Sequence, residues 1–158
     1  MSADIVYITK ERAKEIEEEI FTLRTKERKK IAQKIADARS HGDLSENAEY
    51  DAAKEEQGLL ELKISKLETI LSHAQIIEPN EMPNDKVYIL SQVKLVNKMN
   101  NLKVDFTMVS DSEADFPNRK LSVSSPLGQA LMGRVIGDIV EVNAPVGKIK
   151  YEILDITR

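Results

Sequence analysis

Hydrophobic residues recur at helical spacing in two stretches of the first half of the chain. In the first stretch Ile16, Ile20 and Leu23 follow a four-three spacing, and the pattern resumes after a slip in phase. Residues 10–74 contain no proline, so both stretches are predicted to be helices that pack through an apolar seam. The predicted seam contains Ile16, Ile20, Leu23, Ile31, Ile35 and Ala38 on the first helix and Tyr50, Ala53, Gln57, Leu60, Ile64, Leu67, Leu71 and Ala74 on the second.

The two predicted helices are separated by a short turn around Gly42. Two amphipathic helices joined by so short a connection pack most economically as an antiparallel hairpin. Thirty residues per arm correspond to a length of roughly 45 Å. A dense run of basic residues on the first arm, from Arg24 to Lys34, is interpreted as a solvated face that pairs with glutamates.

After residue 75 the pattern changes to short runs that favour strands. The runs are KVYIL, QVKLVN, KVDFTMV, DIVEVN and KIKYEILDI, and Asn100, Asn101 and Gly147 suit turns between them. One short helix is predicted to start after Ser125, with Pro126 at its first position and Gly133 as its terminator. The predicted class is α+β: residues 1–75 form the hairpin, 76–85 a linker, and 86–158 a mostly antiparallel sheet domain.

Composition narrows the classes of function. The 158 residues include no cysteine, which excludes disulfides, thiol nucleophiles and cysteine-ligated zinc. The net charge is -4, so the molecule as a whole is not an electrostatic binder of nucleic acid. No segment approaches the ~20 consecutive apolar residues of a membrane span. We therefore expect a cytoplasmic protein without membrane contact.

The turn between the two arms, RSHGDLSENAEY at residues 39–50, brings carboxylates close together in sequence. Asp43 and Glu46 have the spacing of a capping box, which would give them a structural role at a helix start. Alternatively, the two carboxylates bind a hard divalent cation. Magnesium takes six oxygen ligands, so the remaining ligands would have to come from another molecule.

The run ARSHGDLSENAEYDAAKEEQ resembles the tip signature of the bacterial Gre family of transcript cleavage factors, in particular the GreA type. The likeness continues through LSHAQIIEPNEMPNDKV, SDSEADFPN, LSVSSPLGQALMG and GDIVEVNAP, which together span nearly the whole chain. The resemblance implies a transcription elongation factor whose hairpin enters the secondary channel of RNA polymerase. There it stimulates the polymerase's own cleavage of the 3′ end of backtracked RNA, so the factor is not an enzyme by itself.

The resemblance also implies roles for residues at the tip of the hairpin. Asp43 and Glu46 would hold a Mg²⁺ shared with the polymerase active centre, and the factor would have no cofactor of its own. Arg39 and Lys54 would form a small basic patch that faces the extruded RNA 3′ end. The partners implied are RNA polymerase and nascent RNA, and we expect a monomer.

The second half resembles the family's FKBP-like domain, which holds the rim of the polymerase channel. The corresponding loop, SVSSP at residues 122–126, assigns polymerase binding to Ser124, Ser125 and Pro126. The fold likeness also raises proline isomerisation, although residues 75–158 contain just four aromatic side chains. A further alternative is a regulator that binds the secondary channel without stimulating cleavage, against which the paired acids argue.

Overall fold

The computed structural model describes residues 5–40 and 47–158. The chain forms two compact units, one within Glu11–His73 and the other built from residues 5–10 together with Ala74–Arg158. The predicted class is confirmed: a long helical hairpin is followed by a domain built on a mixed sheet.

The hairpin consists of two long helical arms. The first arm runs through helix α1 (Lys10–Thr22), a π-helical turn (Leu23–Glu27) and helix α2 (Arg28–Arg39), and the second is helix α3 (Ala48–Ser72). Among the described residues of α3, the buried hydrophobic side chains repeat at intervals of three, four or seven. They are Ala53, Leu60, Ile64, Leu67 and Ile70.

The π-helical turn explains the slip in the hydrophobic pattern of the first arm. A π turn contains one residue more than an α turn, so it moves the apolar stripe by one position. Leu23 and Ile31 are both buried and lie eight residues apart, with the half-buried Glu27 midway between them. The extra residue therefore lets both halves of the arm keep an apolar stripe towards one side.

Charged pairs across the hairpin show that its arms are antiparallel. Residues of increasing number on the first arm contact residues of decreasing number on α3: Arg24 with Glu68, Arg28 with Glu61, and Lys34 with Glu56. The Arg28 pair is bidentate, because Nε and Nη2 each donate to one Glu61 oxygen at 2.8 Å. The interpretation of the basic run as a solvated, glutamate-paired face is confirmed for these three residues.

The second unit contains a five-stranded sheet in the order β5-β4-β3-β7-β6. The strands are β3 (Gln92–Asn97), β4 (Lys103–Val109), β5 (Lys120–Ser122), β6 (Ile139–Ala144) and β7 (Gly147–Thr157). Strands β4 and β5 are parallel, and the other neighbours are antiparallel. The sheet is therefore mixed, with one parallel pair at its edge.

The core of the second unit lies against this sheet and the short helix α4 (Pro126–Leu131). Ser125 is the N-cap of α4 and Pro126 is its first residue, as predicted. The buried core residues are Val87, Val93, Leu95, Phe106, Met108, Leu121, Leu131, Val140, Ile153 and Ile156.

The prediction of a strand at KVYIL is wrong. Leu90 has a positive φ of 69°, which extended β structure does not accommodate. The hydroxyl of Ser91 accepts a hydrogen bond from the Tyr88 amide at 2.9 Å and closes a turn. Val87 instead pairs with the segment after α4, because its amide donates to the Arg134 carbonyl at 2.8 Å. Of this run, Val87 is buried in the core, whereas Tyr88, Ile89 and Leu90 are half-buried.

Two short strands flank the hairpin in sequence and were missed by the pattern. Strand β1 (Val6–Ile8) pairs in parallel with β2 (Ala74–Ile76), and both belong to the second unit. Ala74, which the sequence placed on the helical seam, therefore lies in a strand, and Ile70 is more buried than Leu71. Within the ranges described, no helix is long and apolar enough to cross a membrane.

Candidate functional site

The two carboxylates predicted to share a magnesium ion lie outside the described residues. Asp43 and Glu46 belong to residues 41–46, which connect Ser40 at the end of α2 to Asn47 at the start of α3. Their role stays a prediction. Among residues 5–40 and 47–158, no group of three or more histidines, aspartates or glutamates could hold a metal ion.

Helix α3 is capped by Asn47. The Oδ1 atom of Asn47 accepts a hydrogen bond from the Tyr50 amide at 3.1 Å, and its backbone is extended, with φ of -90° and ψ of 94°. Asparagine is among the preferred N-cap residues, and Glu49 and Asp51 in the first turn suit the positive end of the helix dipole. The N-cap of α3 is therefore Asn47, and the alternative of a capping box made by Asp43 and Glu46 lies outside the described residues.

The same asparagine joins the two arms of the hairpin. Its Nδ2 atom donates a hydrogen bond to the backbone carbonyl of Ala38 in the last turn of α2. Nearby, the Arg39 guanidinium lies over the Tyr50 ring, with 5.8 Å between its central carbon and the ring centroid. Two contacts thus hold the ends of α2 and α3 together around residues 41–46.

The two residues of the predicted basic patch lie on different arms. Arg39 is the last residue of α2 and is exposed, while also contacting Tyr50. Lys54 lies in the second turn of α3, is exposed, and donates from Nζ to Gln57 Oε1 at 2.9 Å. Both side chains are therefore accessible near the end of the hairpin, and their contact with RNA stays a prediction.

The residues predicted to bind polymerase lie in a tightly bonded loop, here called the serine loop (residues 122–126). The hydroxyls of Ser122 and Ser124 both donate to Oδ1 of Asp111, at 2.6 and 2.8 Å. These two hydrogen bonds lower the pKa of the Asp111 carboxyl below its usual value. The carboxylate is therefore charged at neutral pH and holds both serines.

Ser125 has a structural role at the junction of the serine loop and α4. Its hydroxyl donates to the Ser122 carbonyl at 2.7 Å and accepts from the Gly128 amide at 3.1 Å. A Cβ atom on Gly128 would lie 2.0 Å from the Ser122 carbonyl oxygen, so glycine is needed for this close approach. Of the three predicted docking residues, Ser124 and Pro126 are exposed and Ser125 is half-buried.

Sequence reasoning missed Asn47 and Asp111. A signal for Asn47 was present, because an asparagine followed by acidic residues in the next turn is a typical helix start. Asp111 had no local signal. It lies eleven and thirteen residues before the serines that it holds, and such pairings depend on how β4 and β5 come together.

Comparison with known proteins identifies the class to which this hairpin and sheet domain belong. The family model "Transcription elongation factor, N-terminal" matches residues 6–76. The model "Transcription elongation factor, GreA/GreB, C-term" matches residues 82–158. Together these matches cover almost all of the chain. The protein belongs to the GreA/GreB family of transcription elongation factors.

Similar proteins from bacteria are named Transcription elongation factor GreA. The relative from Flavobacterium johnsoniae is 47% identical over 154 residues, covering 98% of each chain. The relative from Chlorobaculum parvum is 49% identical over 155 residues, with the same coverage. Among solved structures, GreA factor homolog 1 of Thermus thermophilus is similar at 26% identity and a TM-score of 0.46, covering 98% of this chain and 100% of that one.

Proposed function

We propose that this factor inserts its hairpin into the secondary channel of RNA polymerase and stimulates cleavage of the 3′ end of backtracked RNA. Membership of the GreA/GreB family and full-length similarity to bacterial factors named GreA support an action on transcription elongation. The factor acts in the cytoplasm as a stimulator of the polymerase's own nuclease activity and does not hydrolyse RNA by itself.

The observation that carries this proposal is the cap of α3. Since Asn47 supplies the N-cap hydrogen bond of α3, that bond does not require the carboxylate of Asp43 or Glu46. Both residues lie in the six-residue connection between two arms that are bonded together at Ala38 and Asn47. A pair of acids in that position is suited to act on something that the end of the hairpin reaches.

The chemistry of these two side chains fits a shared magnesium ion. Carboxylate oxygens are preferred Mg²⁺ ligands, but the ion keeps near-octahedral geometry and one or two carboxylates do not complete it. The polymerase active centre and RNA would supply the other ligands. When bound, such an ion would favour formation of hydroxide from water and stabilise charge on the phosphate oxygens.

The remaining roles belong to this chain's own side chains. Asp43 and Glu46 would offer oxygen donors, and the exposed cations Arg39 and Lys54 would attract the phosphates of the extruded RNA. At the other unit, exposed Ser124 and Pro126 would contact the rim of the polymerase channel. Ser125 would act indirectly there, because both functions of its hydroxyl are used within the protein.

RNA cleavage in backtracked elongation complexes tests this function. We expect the factor to shorten the RNA in the presence of polymerase and Mg²⁺, and to leave free RNA intact. Asp43→Ala and Glu46→Ala should each slow cleavage about 100-fold, which corresponds to ~3 kcal/mol of lost transition-state stabilisation. Polymerase affinity, measured in parallel, should stay nearly unchanged.

Asp51→Ala is the matched control, because it removes one carboxylate from the exposed first turn of α3. It should cleave at the wild-type rate. Normal cleavage by both tip variants would refute the proposal. A wild-type factor that binds polymerase and alters elongation without shortening the RNA would instead be a non-cleaving regulator of the secondary channel.

A further inference from the structure

The 3₁₀ turn at Asp111–Glu113 lies beside the serine loop, and the residue before it is bonded to β1. Ser110, immediately before it, accepts a hydrogen bond through its hydroxyl from the Tyr7 amide of β1 at 2.9 Å. The Glu113 amide donates to the Ser110 carbonyl at 2.9 Å, and the Glu113 side chain is buried. Asp111 therefore extends from a fixed piece of backbone, although it is itself exposed.

From this position Asp111 holds two separate points of the serine loop. Oδ1 accepts from Ser122 at 2.6 Å and from Ser124 at 2.8 Å, while the two serine oxygens lie 2.9 Å apart. This triangle contains two hydroxyl protons, and an ionised carboxylate can accept both. Hydrogen bonds to a charged acceptor are about twice as strong as neutral ones. The Asp111 carboxylate is therefore the strongest hydrogen-bond acceptor that contacts the serine loop.

As a consequence, the serine loop has a fixed shape in which Ser124 and Pro126 are exposed. The Ser124 amide also donates to Ser122 Oγ at 3.1 Å, and the Ser124 carbonyl accepts from Gln129 Nε2 at 3.0 Å. The polar atoms of Ser124 are thus all engaged inside the protein, while the residue itself and Pro126 are exposed. A partner would meet a preformed surface and would not have to order the loop, which favours affinity.

We propose that Asp111 is a positioning residue for polymerase docking: it fixes the serine loop in the shape that exposes Ser124 and Pro126. This inference rests on the proposed function, in which the loop contacts the rim of the polymerase channel. Asp111 acts through the two serines rather than as the charge that the partner recognises. Loss of its carboxylate should leave the fold intact and weaken docking.

The test measures polymerase affinity of Asp111→Ala, Ser124→Ala and the double variant, with thermal unfolding of each. We expect each single variant to bind about tenfold more weakly, equivalent to ~1.4 kcal/mol. The affinity of the double variant should equal that of the single variant that binds more weakly, because the two side chains form one interaction. Additive losses in the double variant would overturn the inference.

Asp111→Asn separates positioning from direct charge recognition. The amide keeps an oxygen that can accept from both hydroxyls, but its neutral hydrogen bonds are about half as strong, so this variant should bind about threefold more weakly than the wild type. Binding as weak as that of Asp111→Ala would overturn the positioning role. Asp105→Ala, which removes an exposed acid from β4 of the same unit, is the charge-matched control and should bind normally.

Pro126→Ala distinguishes failure of this inference from failure of the docking assignment. Weak binding by Pro126→Ala together with normal binding by Asp111→Ala would refute the role of Asp111 alone. Normal binding by both Pro126→Ala and Ser124→Ala would refute docking through the serine loop, and the inference with it. Cleavage stimulation through the hairpin would be judged separately, at a factor concentration that saturates the polymerase.

Discussion

Asn47 and Ala38 join the two arms of the hairpin, because the side-chain amide of Asn47 donates to the Ala38 carbonyl while its oxygen caps α3. The last carbonyls of a helix and the first amides of the next have no partner within their own helices. Here the side chain of Asn47 bonds to one such carbonyl of α2 and to one such amide of α3. The connection that carries Asp43 and Glu46 therefore starts and ends at bonded positions.

Two substitutions of Asn47 should destabilise the hairpin to different degrees. Asn47→Asp keeps the oxygen that accepts from the Tyr50 amide but cannot donate to Ala38, whereas Asn47→Ala loses both hydrogen bonds. We expect a loss of ~1–2 kcal/mol in unfolding free energy for alanine and a smaller loss for aspartate. Urea unfolding followed by circular dichroism measures both. Equal stability of Asn47→Ala and wild type would contradict the role of Asn47 in capping α3 and joining it to α2.

The two helical glycines Gly128 and Gly58 should respond to alanine in opposite directions. At Gly128 a Cβ atom would lie 2.0 Å from the Ser122 carbonyl oxygen, whereas at Gly58 nothing lies within 4 Å. Gly128→Ala should therefore cost ~1–3 kcal/mol through backbone displacement. Gly58→Ala, the matched control, should stabilise α3 by ~0.5–1 kcal/mol. Thermal unfolding of both variants tests the prediction, and a stabilised Gly128→Ala would refute the close approach.

Acidification should weaken the hairpin through Glu61. The hydrogen bonds from Arg28 lower the pKa of Glu61 below its ordinary value of 4.5. A lowered pKa in the folded state gives stability that is present above the ordinary value and is lost as the pH falls through the folded value. The affected window therefore lies below pH 4.5. Because the pair is exposed, the effect should be small and should shrink at high salt.

Glu61→Gln isolates this contribution to acid sensitivity. The difference in unfolding midpoint between wild type and Glu61→Gln should be constant near neutral pH and should decrease in acid. Glu55→Gln, an exposed glutamate on the same helix, provides the control. A difference that stays constant down to the most acidic pH would show that the Arg28 pair does not contribute through ionisation.

Removal of one residue from the π-helical turn should be tolerated. Deletion of Lys26 would convert Leu23–Glu27 to an ordinary α turn and leave the apolar face of α2 towards α3. Deletion of Gln33, beyond the π turn, would rotate the residues that follow by about 100° relative to the seam. We expect the first variant to unfold near the wild-type midpoint and the second to be clearly destabilised. The reverse order would contradict the role assigned to the turn.

Long-range periodicity made the hairpin predictable from sequence. Ile16, Ile20, Ile64 and Leu67 repeat over several turns, so their pattern identified both arms. The slip between Leu23 and Ile31 was visible, but its cause was not, because a π turn and a break in the helix shift the pattern in the same way. The structure distinguishes them through the continuous helical backbone.

The sheet was predicted well where strands pair as hairpins. The predicted QVKLVN and KVDFTMV coincide with β3 and β4, joined by a turn in which Asn101 has a positive φ of 59°. β1, β2 and β5 have three residues each, too few for alternation to be recognised. Asp111 was likewise missed, because its partners depend on tertiary packing and not on neighbouring residues.

The parallel pairing of β1 and β2 brings together the two ends of the chain segment that forms the hairpin. Strand β1 ends two residues before α1, and β2 begins two residues after α3, so both roots of the arm are held at adjacent positions. While the second unit stays folded, holding the two ends of the hairpin together reduces the conformational freedom of its unfolded state. A fragment cut to residues 11–73 would lose that restraint. The ends of the hairpin should therefore fray more easily in such a fragment than in the whole protein.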